Sequence, residues 1–188
     1  MGLDMYLSKH HYVKNWEHSL KKYTVTVQED SNDIAGLDLE KVKYIIEEAG
    51  YWRKANAIHY WFVNNIQDGE DNCEEYCVDD NKIEELLNLC QEVVKVAIVE
   101  KGKVANGYSY NDKMEKVYEY EDGETITNPQ QVAEILPTES GFFFGSTEYD
   151  QYYLQDIKDT IEILEPLVQK DVDGNYINKA EVYYRSSW

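Results

Sequence analysis

The chain has 188 residues, with 18 Lys+Arg against 37 Asp+Glu, a formal charge of −19, and 43% hydrophobic and 13% aromatic content. That length accommodates one self-sufficient core, and the aromatic and β-branched content offsets chain entropy, which excludes a disordered chain. The charge argues against direct binding to nucleic acid or to an anionic membrane, because both need a basic surface.

The opening Met1-Gly-Leu-Asp-Met-Tyr-Leu7 has no basic start followed by an apolar run, and Tyr6 stands where a myristoylation signal needs Ser or Thr. The longest apolar stretch, residues 93–99, is interrupted by Lys95 and too short to span a bilayer. A cytoplasmic location is expected. Three cysteines, Cys73, Cys77 and Cys90, make no disulfide framework.

In chain order, Leu3, Met5 and Leu7 alternate with Asp4, Tyr6 and Ser8 at the period of a half-buried strand. Residues 23–28 repeat the pattern with Tyr23, Val25 and Val27, which predicts a strand paired with the first. A run of turn formers after Gln28 predicts a loop as far as Leu37. Residues 42–49 alternate through Val42, Tyr44 and Ile46, while Glu47, Glu48 and Ala49 favour a helix; the alternation predicts a strand ending at Gly50. Residues 52–67 predict an amphipathic helix, with Ala55, Ile58, Trp61, Phe62 and Ile66 inward and Arg53, Asn56, His59, Tyr60 and Val63 outward.

Residues 68–80 hold seven acids and no base, a solvated loop with a short strand around 74–78. From 81 to 100 the apolar positions Ile83, Leu86, Leu87, Cys90, Val93, Val94 and Ala97 predict the clearest core helix, with Asp80 as its N-cap. Residues 101–127 predict a β-hairpin insertion turning at Gly123 or at Asn106-Gly107. Asn128-Pro129 opens a short helix that Pro137 terminates. Gly141-Phe-Phe-Phe-Gly145 reads as a short buried strand or a tight backbone approach.

Thr147 with Asp150 matches a capping box and predicts the last long helix. Its inward face is Tyr153, Ile157, Ile161, Leu164 and Val168, and its outward face Tyr149, Tyr152, Asp156, Asp159 and Glu162. Pro166 kinks or ends it, Asp173-Gly174 turns the chain, and residues 180–185 return as a final strand. The order predicts a single α+β domain over 1–188, its mixed or antiparallel sheet packed by one layer of three to four helices.

Four constellations are chemically suggestive. Arg53, Asn56, His59 and Tyr60 place a cation, an amide, an imidazole and a phenol together, a set able to hold an anion or to use His59 as a base. A packed helix face is the plainer alternative. Cys73 and Cys77, with Cys90 and His10-His11 elsewhere, have part of a zinc spacing but no second close pair, so ordinary thiols are expected and no metal or other cofactor is assigned. Glu148 and Asp150 could serve acid–base chemistry, although capping explains them; no catalytic residue is selected, and no GxSxG, Walker or GxGxxG motif occurs.

The fourth constellation is compositional. Seventeen tyrosines are more than a core needs, and several alternate with acids, as in Val117-Tyr-Glu-Tyr-Glu, Glu148-Tyr-Asp-Gln-Tyr-Tyr and Glu74-Glu-Tyr. Residues 68–80 and 139–165 together hold fourteen acids and one lysine. The candidate binding residues are therefore Tyr149, Tyr152, Asp156, Asp159 and Glu162 of the last helix, with Glu74, Glu75 and Tyr76 of the acidic loop. Acid excess for solubility alone is the alternative.

Gly2-Leu-Asp-Met-Tyr-Leu7, Gly50-Tyr-Trp-Arg-Lys-Ala-Asn-Ala-Ile-His-Tyr-Trp-Phe62 and Ser140-Gly-Phe-Phe-Phe-Gly-Ser-Thr-Glu-Tyr-Asp150 together resemble a family of small uncharacterised proteins of bacteriophages, prophages and mobile elements. The resemblance covers about two-thirds of the chain and skips 101–127. It implies a setting, the cytoplasm of a bacterial host, and transfers no activity or site residue. Setting and composition lead to the expectation of a non-catalytic acidic protein that inhibits a host or defence protein with a basic surface, in the manner of an anti-CRISPR or nucleic-acid mimic. The alternatives are a small-ligand or nucleotide-binding or hydrolytic protein using Arg53, Asn56 and His59, and a structural or homo-oligomeric protein.

Overall fold

The computed structural model describes residues 2–20, 22–33, 38–114, 116–141 and 144–188. It is an α+β fold, as the sequence predicts. Strand β1 (Asp4–Tyr12) keeps the period-2 pattern, with Leu3, Met5 and Leu7 fully buried. It pairs antiparallel on one side with β4 (Tyr44–Arg53) and on the other with β8 (Glu181–Ser187), which pairs in turn with β5 (Tyr76–Val78). The sheet order is β4-β1-β8-β5.

Both sides of β1 are thus occupied, which is why the alternation at 23–28 builds no long strand. Apart from a two-residue hairpin of β2 (Gln28–Glu29) and β3 (Asn32–Asp33), that segment is irregular. The Asn15 side chain binds both backbone groups of Tyr23 instead. The hairpin replaces the start of the predicted loop, and the remainder of that loop, 34–37, lies outside the described residues.

Helices α1 (Asn56–Asn65), α2 (Asp80–Val96), α3 (Pro129–Ile135) and α4 (Gln151–Leu164) supply the second layer. Ile58, Phe62, Ile83, Leu86, Cys90, Val93, Ile157 and Leu164 form one core with Leu3, Met5, Leu7, Trp52, Val182 and Tyr184 of the sheet. The helix predicted from Trp52 begins four residues later. Trp52 and Arg53 remain in β4 because Met5 pairs with Trp52 and the Trp52 indole donates to the Thr160 hydroxyl, 2.9 Å, in the core. At Gly50 an added Cβ would lie 2.4 Å from Ile163 Cγ2, so α4 sits directly on the strand.

Asp79, not Asp80, occupies the N-cap position of α2, and Asp80 is its first residue. Asp150, rather than Thr147, caps α4, its carboxylate accepting from the Tyr152 and Tyr153 amides. Asn128-Pro129 does open α3, and Pro166 ends α4 in a 3₁₀ turn, Glu165–Leu167. Phe142 and Phe143 of the predicted phenylalanine strand lie outside the described residues, and Phe144 is in a bend.

The insertion is a hairpin of β6 (Val99–Tyr110) and β7 (Lys116–Ile126). Its turn falls at Asn111–Met114, with the Met114 amide bonded to the Asn111 carbonyl, not at either predicted glycine position. Asn106 and Gly107 form a bulge. Gly123 lies mid-strand opposite Gly102, where a Cβ would meet Gln151 Oε1 and Val104 Cγ2 at 2.6 Å, so it permits close packing rather than a turn.

Candidate functional site

The four-residue set predicted on one helix face is not assembled. Arg53 is exposed at the end of β4 beside Asp4, whereas Asn56 and His59 are 4% and 1% exposed and Tyr60 is half-buried. The helix turns this face inward because the chain has already passed under it as β4.

His59 is the buried centre of a polar chain that runs out to the surface. Its Nε2 is 3.0 Å from Asp71 Oδ2 and its Nδ1 is 2.8 Å from the Tyr184 hydroxyl. Asp71 Oδ1 accepts from the Trp188 indole at 3.0 Å. A carboxylate only accepts, so Nε2 donates to Asp71, which leaves Nδ1 to face the Tyr184 hydroxyl. Burial, with the nearby Asp71 and Cys73 behind it, holds the Tyr184 hydroxyl well above its ordinary pKa, so it stays a donor. Tyr184 stacks on Phe62 at 3.8 Å, and Phe144 meets the imidazole edge-on at 5.0 Å. Every polar atom of the chain is therefore occupied by protein. It joins α1, the acidic loop, the central strand and the C-terminus.

Asn56 acts similarly. Its amide donates to the Phe144 and Ser146 carbonyls and its oxygen accepts from the Glu139 amide, fastening the 139–146 segment to α1. The predicted ligand atoms of Asn56 and His59 are hence spent on the fold.

The thiols and imidazoles are also apart. Cys90 is buried in the core stripe of α2, its thiol pushed up to about 12 by burial. Cys77 is exposed on β5; burial, then Glu181 and Asp79, raise its thiol. His10 stacks on Tyr183 at 4.2 Å, and His11 bonds Glu47. Among the described residues no group of three or more His, Cys, Asp or Glu converges as metal ligands.

The predicted acid and tyrosine residues divide between two places. Tyr152, Asp159 and Glu162 are exposed on α4, and the Tyr152 hydroxyl donates to Glu121 of β7 at 2.6 Å, joining the helix to the hairpin. Glu124 adds a second link, its amide bonding Gln151. Beyond this junction Val117, Tyr118 and Tyr120 are exposed along the hairpin. Tyr149 does not join the outward face: it precedes α4, is half-buried, and packs on Tyr153 with its hydroxyl accepting from the Thr138 amide. Asp156 is half-buried too, and burial, then Asp159 and Asp150, push its carboxyl to about 7.

Glu74 and Glu75 are exposed at the other end of the sheet order, where Glu75 lies 3.8 Å from His10. His10 alternates with the buried Met5 and Leu7 side of β1, so Glu75 borders the face that the helices leave open, and the sheet separates it from α4. Tyr76 is half-buried and accepts from Asn72.

Sequence reasoning missed what occupies that open face. Tyr6 and Tyr51 meet at 5.5 Å, Arg185 lies over Tyr6, His10 stacks on Tyr183, and Tyr44 packs edge-on against Tyr12. Their alternation with buried neighbours was the available signal, but these tyrosines come from three strands distant in sequence. Charge separates the regions as well: residues 1–54 hold nine acids and eight bases, and residues 55–188 hold 28 acids and ten bases.

The class these features define is an α+β protein whose antiparallel sheet carries helices on one face and an aromatic layer on the other. No family model matches the chain, no curated protein matches it in sequence, and no solved structure matches it. Among the described residues no helix is long and apolar enough to cross a membrane.

Proposed function

We propose that this is an acidic binding protein of phage type, acting in the bacterial cytoplasm as an inhibitor of a host or defence protein that handles nucleic acid. One observation carries the reading: the Tyr152–Glu121 bond joins α4 and the hairpin into a single surface of tyrosines and carboxylates. Asp159 and Glu162 on it have no ion-pair partner among the described residues, so their charge remains available to a basic groove. Tyrosine supplies contact area at low entropy cost, and the carboxylates supply steering that fades with salt. Burial of Asn56 and His59 leaves the competing small-ligand reading without its binding face.

The test is retention of a bacterial guided nuclease, and its inhibition, by wild type and by an Asp159→Lys, Glu162→Lys variant at low and high salt. Retention that weakens with salt and falls at least tenfold in the variant supports the reading. Inhibition indifferent to the charge reversal overturns it.

A further inference from the structure

Strand β4 is an edge strand of ten residues, and among the described residues its outer side pairs with nothing. Its first two residues, Tyr44 and Ile45, outrun the sheet. The β8 ladder stops at His10↔Glu181, while β1 and β4 continue together to Tyr12↔Tyr44. Tyr44 and Ile45 form this two-stranded extension with Tyr12 and His11, and Ile46 stands at its root; Ile45 and Ile46 point to opposite faces and are 43% and 63% exposed, beside Tyr44 at 44%. An isolated ribbon of two strands is marginal in water, and a long edge carrying apolar side chains without Lys or Pro is a template for another strand.

We propose that a second copy of this chain covers the edge, pairing β4 antiparallel with β4 of the partner about Ile46 to make one continuous eight-stranded sheet. Charge leaves this edge open to a second copy where most of the surface would repel one. The excess acid lies almost wholly in residues 55–188, so most approaches between two copies are repulsive, whereas β4 belongs to the nearly neutral first 54 residues. Glu47, the acid nearest the edge's centre, is already matched by Lys9 at 2.7 Å and His11 at 3.0 Å.

Geometry selects the register. Side chains opposed in an antiparallel ladder share a face, so a twofold axis must pass through a residue rather than between two. An axis at Glu47 or Glu48 opposes like carboxylates. An axis at Ala49 falls on the bulge beside Gly50. An axis at Ile45 carries the pairing beyond the start of the strand at Tyr44. An axis at Ile46 opposes Ile46 with itself, Ile45 with Glu47 and Tyr44 with Glu48, uses five strand residues, and opposes no like charges. The contact is isologous and closes at two copies.

The dimer and the acidic docking surface are separable, because salt weakens attraction to a basic partner but screens repulsion between copies. Sedimentation and light scattering across protein concentration and salt should give a mass about twice 22.1 kDa that persists or strengthens with salt. Ile46→Lys, at an exposed position, should give a monomer with an unchanged circular dichroism spectrum, and Ile46→Val should stay dimeric. In a Cys73→Ser, Cys77→Ser background, Ile46→Cys should cross-link on oxidation and Tyr51→Cys should not. A chain monomeric under all conditions overturns the proposal, even if Ile46→Lys then reduces capture of another protein. So does a dimer that Ile46→Lys leaves intact, or equal cross-linking at positions 46 and 51.

Discussion

The two sides of this molecule use the same residue types for different ends. On the helical side, Tyr152, Asp159 and Glu162 stand in an acid excess with no base paired to them among the described residues. On the open sheet face, tyrosines lie against one another, against His10 and against Arg185, and the nearby carboxylates Glu47 and Asp4 have partners. A tyrosine beside an unpaired acid leaves a charge to be read at long range, whereas a tyrosine in an aromatic layer offers area and little field. The difference is what the proposed charge-driven docking on the helical side and the proposed pairing at the β4 edge both rest on.

The polar chain through His59 ties α1 and the acidic loop to the sheet between these two sides, so breaking it should have the largest effect. His59→Leu leaves the Tyr184 hydroxyl and one Asp71 oxygen without their partner, and urea unfolding should register a loss of about 2–4 kcal/mol. Retention of wild-type stability would mean that apolar packing alone holds α1 and the acidic loop to the sheet. Gly50→Ala drives a methyl into Ile163, and a loss of about 1–3 kcal/mol is expected. Ile163→Ala in the same chain should return part of it, a coupling measurable in a double-mutant cycle.

Asp156 tests the acidic side through pH. Its carboxyl titrates at about 7 in the folded chain against an ordinary value of 3.8, so the folded state binds the proton more tightly. Stability should therefore fall as pH rises through that window. Asp156→Asn should flatten the slope and stabilise the chain by about 1–2 kcal/mol at pH 8, with little change at pH 4, the shift being reduced by solvent screening. The smallest effect is local. Tyr152→Phe removes the bond to Glu121, and amide exchange should quicken across β6 and β7 while β1 and β8 keep their protection.

Much of the architecture was legible because period-2 and period-3.6 patterns are local. Leu3-Met5-Leu7, the stripe through Ile83, Leu86, Leu87 and Cys90, and the Asn128-Pro129 start each carry their own signal. The errors came where a partner decided. Tyr23, Val25 and Val27 alternate as well as β1 does, yet β1 had no free side to give them. Trp52 and Arg53 suit a helix wheel, yet Met5 and Thr160 hold Trp52 in a strand. That change moved Arg53 away from His59 and dissolved the predicted ligand face. Tyr152, Asp159 and Glu162 were correctly read as exposed because helix phase alone places them; the depth of Asp156 depended on what packs beside it.

The sequence by itself determined the class of fold, the position of most elements and the concentration of acid after residue 54, since each depends on residue type and short-range spacing. Only the tertiary structure decided which tyrosines meet, that His59 is occupied inside the molecule, and that β4 has an open edge among the described residues. Those are properties of pairing between segments far apart in the chain. The free energy that selects them comes from buried area and satisfied polar groups, which no single segment contains.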